Sequence, residues 1–430
     1  MPEAPRQLLL GAHFPGKEQV AWRHPDNEDL IAVETYIKNA KAADSALFHF
    51  MFLAETLSLA EHDGSVLGHT VNGRPDTIGI QSVLAGVTKH VGFINTLNST
   101  YNEPYDLVRQ LATLDVLSDG RAAWNLVTAA PPLTSANFSR GDFLPYEERY
   151  ERAGEFLDVL ETFWRGWEAG EARPVERHFS GKHFSVTGAP SWPTPPQERP
   201  VIVQASSSDT GNRFGAEHAD GVYIIPRDIH VARDTYRRVK AHAADLGRGP
   251  DDVAIVAGLR FVVADTDAEA EEKFRHFLDL EFSDRDVVLE IERIWQRHLP
   301  DLDPDGPLPT IEPDYEALGI ILSKSPAQQR DPRAYIREWR ELAEAERLSN
   351  RQIVQRFTVR PAITGTPATI ATALEHWRDT QAADGFIVQP QVVPQGVLEF
   401  AERVVPVLQE RGLFRTEAPE QTLRSAWQSR

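Results

Sequence analysis

The chain of 430 residues contains no cysteine, which removes disulfides, thiolate catalysis and cysteine-ligated zinc or iron–sulfur centres. Redox chemistry, if any, has to come from a bound cofactor. No apolar run approaches the roughly 20 residues that a membrane helix needs. Residues 1–16 hold only the short run Leu8-Leu9-Leu10 and no small-residue cleavage site, so a cytoplasmic address without a membrane partner is expected. Positive charge is also in short supply. Against 64 acidic side chains stand 45 basic ones, a formal net charge of −19, which repels phosphate backbones and anionic lipid. The longest basic feature is Arg237-Arg238, and no stretch interleaves aromatics with Lys or Arg. Nucleic acid is therefore not an expected partner.

Several catalytic signatures are missing as well. No Gly-x-Gly-x-x-Gly follows a strand, and Gly247-Arg248-Gly249 runs into Pro250, so a dinucleotide fingerprint is absent. There is no Walker A loop, no Gly-x-Ser-x-Gly elbow and no His-Glu-x-x-His. His178 and His183 stand five apart near Gly181, a spacing that does not make a metal site, and none is expected.

What is present is the balance of an ordinary globular chain, 41% hydrophobic and 25% charged, able to bury a sizeable core. The length suits one large barrel with insertions or two to three smaller domains. Short apolar runs alternate with amphipathic stretches of helical length, the pattern of parallel strands covered by helices. Eight strands are predicted, at residues 7–13, 47–54, 91–96, 122–127, 200–205, 221–225, 253–263 and 385–389. Helical periodicity falls at 29–43, 77–88, 103–117, 147–167, 208–218 and 366–380. Eight βα repeats without a dinucleotide fingerprint predict a closed barrel over residues 1–415 as one domain. Two stretches, 129–199 and 268–360, are too long for simple connections. After strands 4 and 7 of a barrel, such insertions build the pocket and its lid. The polar tail, 416–430, is expected to fray or to dock on a partner subunit.

Four segments can carry chemistry. Thr96-Leu97-Asn98-Ser99-Thr100-Tyr101-Asn102-Glu103-Pro104-Tyr105 follows the third strand; its hydroxyls and amides suit a helix N-cap, and equally the polar edge of a flat heterocycle. Asn125 and Thr128 lie near the C-terminal end of the fourth strand, the end where barrel active sites sit. Tyr146 and Tyr150 are four apart, so they share a helical face and can present two phenols to one anion. Ser206-Ser207-Ser208 joins the fifth strand to a helix, where free amides and hydroxyls make either a plain N-cap or a phosphate cradle.

In order and spacing, Ala21-Trp22-Arg23-His24-Pro25, Phe52-Leu53-Ala54-Glu55, Ser99-Thr100-Tyr101-Asn102-Glu103-Pro104-Tyr105, residues 114–128, Arg149-Tyr150-Glu151-Arg152-Ala153 and residues 204–211 resemble the bacterial-luciferase-like, FMN-dependent monooxygenases. The group includes the nitrilotriacetate and EDTA monooxygenases, dibenzothiophene-sulfone monooxygenase and pristinamycin IIA synthase. The resemblance runs from about Leu8 to Leu413. It implies a (β/α)8 barrel that receives FMNH2 from a separate NAD(P)H:flavin reductase and uses O2 to oxidise a small organic substrate through a flavin C4a-hydroperoxide. It implies isoalloxazine contacts from Glu55, Thr96, Asn98 and Asn125, phosphate contacts from Tyr150, Ser207 and Ser208, a contact from Tyr146 to phosphate or flavin, and a homo-oligomer, dimer or tetramer. Two positions depart from the pattern: the second strand usually ends Ala-Asp where this chain has Ala54-Glu55, and Tyr146 stands where relatives commonly have His.

The substrate and the bond it loses are open: hydroxylation, C–N or C–S cleavage and heteroatom oxidation all fit. Phe14 and Trp22 suggest an apolar wall, and no cluster of Arg or Lys for an anionic substrate stands out in the sequence. A deazaflavin F420-dependent oxidoreductase of the same fold and a non-catalytic flavin-binding barrel are the alternative readings.

Overall fold

Eight parallel strands close on themselves in a computed structural model that describes residues 6–14, 23–59, 61–62, 64–66, 74–128, 132–139, 144–167, 175–205, 208–322, 331–360, 362–418 and 422–429. The barrel strands are β1 (Leu9–Phe14), β2 (Phe50–Leu53), β3 (Gly92–Asn98), β4 (Ala122–Val127), β5 (Val201–Ala205), β6 (Gly221–Ile224), β7 (Ala254–Val263) and β8 (Gly385–Gln389). Each pairs with its neighbour in chain order, and β8 returns to β1 with Leu9 opposite Gly385. All eight predicted strands are present, their ends shifted by a few residues. A ninth strand, Ala362–Gly365, adds to the far end of β7.

Strand parity sorts the side chains into two layers, as successive residues point to opposite faces. Leu9, Phe50, Phe52, Ile94, Ala123, Val203, Val256 and Ile387 fill the interior. Their alternates, among them Leu8, Leu10, Met51, Phe93 and Val388, pack outward against the surrounding helices. Phe14 belongs to the outward set: it is buried against Tyr36 with ring centroids 4.1 Å apart, so it is not the pocket wall expected of it. Its partner in that expectation, Trp22, lies outside the described residues.

The predicted helices recur at Val33–Ser45, Thr77–Ala85, Pro104–Leu117, Tyr146–Phe163, Asp209–His218 and Pro367–Asp379. The insertion after β4 carries the 18-residue helix Tyr146–Phe163 and a hairpin, Arg177–Ser180 with Ser185–Gly188. The insertion after β7 contains the helices Asp284–Trp295, Pro332–Glu346 and Asn350–Thr358 around a core of its own, built on Trp295, Trp339, Ile291 and Ile353. It touches the barrel side through Arg23, which bonds the Leu280 carbonyl at 3.1 Å and the Asp286 carboxylate at 2.5 Å.

The C-terminal segment departs from expectation. Rather than fraying, Leu423–Gln428 forms a helix that seals the N-terminal end of the barrel. Trp427 packs on Phe50 at 5.6 Å and donates its indole N–H to the Asp220 carbonyl at 3.1 Å. Arg424 grips the Asp220 carboxylate at 2.8 and 3.0 Å. The physical reason is a pair of large apolar residues, Leu423 and Trp427, four apart on one helical face within a polar stretch. Among the described residues no helix is long and apolar enough to cross a membrane.

Candidate active site at the barrel mouth

With one end of the barrel plugged, the open end lies where the strands terminate in C=O groups. The interior parity of the strand ends there delivers a ring of polar side chains: His13 from β1, Thr96 and Asn98 from β3, Asn125 from β4, Tyr223 from β6, Arg260 from β7 and Gln389 from β8. All are buried, a costly place for polar atoms without partners.

Thr96 and Asn125 are register neighbours. The Asn125 amide donates to the Thr96 hydroxyl at 3.0 Å, which leaves Asn125 Oδ1 buried and without a partner. His13 stacks on Phe52 with centroids 5.5 Å apart and interplanar angle 24°, and its Nδ1 is likewise unpaired. Gln389 donates to the Tyr223 phenol at 2.8 Å while its Oε1 has no partner. That bond bridges the intervening strand β7 at Gly258, where any Cβ would collide with Tyr223 Oη and Gln389 Nε2. Three acceptor or donor positions from three strands therefore point into the mouth unsatisfied.

Glu55 follows β2 and accepts from Asn98 Nδ2 at 3.1 Å. Asn98 is held by its own loop: its Oδ1 accepts from the Tyr101 N–H at 2.8 Å and its carbonyl from the Asn102 amide at 2.7 Å. Arg152, on the helix after β4, clamps the same loop through the Ser99 carbonyl at 3.2 Å. Burial pushes the Glu55 carboxyl up to about 7, with the Asn98 bond opposing and Asp76 adding to the rise. A group so placed can hold or release a proton near neutrality.

On the β4–β5 side, Tyr146 and Tyr150 meet edge to face at 5.3 Å, as their spacing predicts. Tyr146 Oη lies 2.5 Å from Ser208 Oγ, and Tyr150 packs on Phe214 at 5.4 Å. Ser208 is the N-cap of Asp209–His218, accepting from the Gly211 N–H at 3.1 Å. The two segments that the sequence nominates for phosphate are thus adjacent. Ser207 lies outside the described residues. Arg149, buried with its guanidinium 5.2 Å from the centre of the Tyr146 ring, adds a cation next to these phenols.

Of the eight nominated residues, seven are described and all seven line this end of the barrel, in two groups: Glu55, Thr96, Asn98 and Asn125 at the mouth, and Tyr146, Tyr150 and Ser208 beside it. His13, Tyr223, Arg260 and Gln389 were not nominated. Counting alternate residues back from the strand ends would have found them. Among the described residues no cluster of three or more His, Asp or Glu could hold a metal ion; His178 bonds Thr187 across the exposed hairpin instead.

Comparison with known proteins identifies the family. The family described as luciferase-like monooxygenase matches residues 18–384. N-acetyl-S-(2-succino)cysteine monooxygenase of Bacillus subtilis is 33% identical over 97% of this chain and 96% of its own length. Nitrilotriacetate monooxygenase component A of Aminobacter aminovorans is 33% identical over 97% and 93%. The solved structure of EDTA monooxygenase from a Chelativorans species superposes with a TM-score of 0.74 at 26% identity, covering 98% of both chains. The chain belongs to the luciferase-like monooxygenases and is an oxidoreductase that incorporates oxygen.

Proposed function

We propose that this chain is the oxygenase component of a two-component system, taking FMNH2 from a separate NAD(P)H:flavin reductase and using O2 to oxidise a small organic substrate. The observation that carries this reading is the set of unsatisfied buried polar atoms at the mouth, His13 Nδ1, Asn125 Oδ1 and Gln389 Oε1. Such atoms suit the alternating donors and acceptors of a flat heterocycle. The relative named component A of nitrilotriacetate monooxygenase supports division of labour between two chains, and the missing dinucleotide fingerprint supports reduction elsewhere.

The donor set fits FMN. Glu55, Thr96, Asn98 and Asn125 would hold the isoalloxazine, and Tyr146, Tyr150, Ser208 and Ser207 the phosphate, with Arg149 supplying positive charge nearby. Reduced flavin, when bound, supplies the electrons that activate O2. The protein's share is to orient the ring, keep water away and hold a proton at the Glu55 carboxyl. The insertions 129–199 and 268–360 serve as pocket wall and lid in this reading. A dimer or tetramer belongs to the same proposal and is read by light scattering.

Spectral titration with FMN, dithionite-reduced FMN and F420, followed by oxygen uptake with an added flavin reductase, tests the assignment. Saturable binding of reduced FMN with reductase-dependent oxygen uptake is expected. Binding of F420 alone would establish the deazaflavin alternative, and flavin binding without oxygen uptake across a broad substrate panel the non-catalytic one.

A further inference from the structure

The loop 99–102 after β3 is gripped from two sides, and the grip ends at Glu55. On the inner side Asn98 accepts the Tyr101 N–H through Oδ1 at 2.8 Å, which turns its Nδ2 toward the Glu55 carboxylate at 3.1 Å. On the outer side the Asn102 amide donates to the Asn98 carbonyl at 2.7 Å. Arg152 in turn donates to the Ser99 and Asn102 carbonyls at 3.2 and 3.4 Å. The loop is also tied to the end of β4, through the Ser99 N–H to the Val127 carbonyl at 2.9 Å and the Thr100 hydroxyl to the Thr128 carbonyl at 2.8 Å. Losing Arg152 should therefore displace the loop without unfolding it.

Arg152 is itself fixed from behind. It is buried, with its guanidinium 4.0 Å from the centre of the Phe184 ring. Phe184 lies in the hairpin of the first insertion, where the N–H groups of Lys182, His183 and Phe184 all donate to the Glu155 carboxylate at 2.7 to 3.2 Å. Glu155 and Arg152 share the helix Tyr146–Phe163, and so do Tyr146 and Tyr150. One helix thus reaches Ser208 through Tyr146 and the loop beside Glu55 through Arg152.

We propose that Arg152 is a positioning residue for the Glu55 carboxyl, acting through the loop and Asn98. What the proton is used for rests on the oxygenase reading; how the carboxyl is placed does not. Burial and the charge of Asp76 favour the protonated form of Glu55, and the bond from Asn98 opposes them, because a donor aimed at a carboxylate stabilises its charge. Such a bond weakens steeply as its length and angle depart from ideal. The proton affinity of Glu55 therefore depends on where Asn98 sits, and Arg152 holds the loop that seats it. A carboxyl that exchanges a proton during turnover works best with a pKa close to the working pH, so a misplaced Asn98 would move it off that point.

The test is titration of Glu55 in the full flavin-free chain, read from its carboxyl C=O stretch in infrared difference spectra and assigned by the loss of that band in Glu55→Gln. Asn98→Ala should raise the proton affinity of Glu55 about tenfold, the worth of one hydrogen bond to a charged group. Arg152→Met should shift it the same way, by about three- to tenfold, and Arg152→Lys less. Because the two residues act in series, Asn98→Ala combined with Arg152→Met should move the titration no further than Asn98→Ala alone. If Arg152→Met fails to fold, Asn102→Ala breaks the same chain of bonds at a half-buried position and is expected to give the same shift. A merely structural role would lower the thermal midpoint and leave the titration in place. The proposal is overturned if Glu55 titrates as in wild type in Arg152→Met or, where that variant does not fold, in Asn102→Ala. It is also overturned if the shifts of Asn98→Ala and Arg152→Met add, as they would were the Arg152 charge acting directly. With reduced FMN supplied by a reductase, the pH midpoint of oxygen uptake should follow the titration. Shifted titration in a chain that takes up no oxygen would uphold the role of Arg152 and overturn only the oxygenase reading.

Discussion

Arg260 on β7 and Glu281 at the end of the helix Asp267–Glu281 meet in a two-pronged ion pair, 2.7 and 3.0 Å long, with both side chains inaccessible to solvent. The pair ties the root of the second insertion to the barrel interior. Removing one partner strands a buried charge, so Glu281→Gln should cost roughly 3 to 5 kcal/mol in urea unfolding. The double replacement Arg260→Met with Glu281→Leu should recover most of that loss, since well-packed apolar residues often replace buried pairs without penalty. A Glu281→Gln midpoint equal to wild type would show the pair to be idle.

Glu55 makes stability depend on pH in an unusual direction. Its folded pKa, about 7, lies above the ordinary 4.5, so the folded state binds the proton more tightly than the unfolded one. The stabilisation from protonated Glu55 is fully present below pH 4.5 and is lost as pH rises through 7. Glu55→Gln cannot ionise, so in the flavin-free chain it should gain on wild type between pH 5 and 9, by something on the order of 3 kcal/mol. Thermal midpoints across that range decide the matter. A constant difference would mean that Glu55 titrates normally.

The phosphate-side residues should separate by mechanism. Tyr150→Phe keeps the ring contact with Phe214 and removes only the hydroxyl, so FMN affinity should fall about tenfold with little change in the apo midpoint. Ser208→Ala removes the cap of the helix Asp209–His218 and should cost about 1 kcal/mol of stability in addition to any loss of binding. Calorimetry and thermal melts on both variants check the split; equal stability losses would count against a phosphate role for Tyr150.

The isolated chain should not oxidise NADH. Mixed with NADH, FMN and O2 it is expected to be nearly inert, and an added flavin reductase, even an unrelated one, should start turnover once a substrate is present. Rapid, saturable NADH consumption without a reductase would contradict the two-component reading and leave the barrel and its mouth untouched.

The sequence revealed the barrel more readily than the site. Strands such as Ala254–Val263 are buried on both faces and so read as unbroken apolar runs, while Pro104 and Ser208 mark helix starts by their own chemistry. His13 escaped notice because a single histidine inside an apolar run gains meaning only once strand parity is fixed. Leu423 and Trp427 were hidden by polar neighbours, and only their four-residue spacing could have announced a buried face.

The pairing of Leu9 with Gly385 has a kinetic consequence. The first and last barrel strands are separated by most of the chain, and the entropy of joining them must be met before that contact returns anything. Until they meet, the sheet is an open curl with two bare edges, each offering unpaired amides and carbonyls to any other strand. Refolding from denaturant is therefore expected to be slow, concentration-sensitive and prone to edge-to-edge aggregation, with recovery improving on dilution as the two ends of one chain outcompete those of its neighbours.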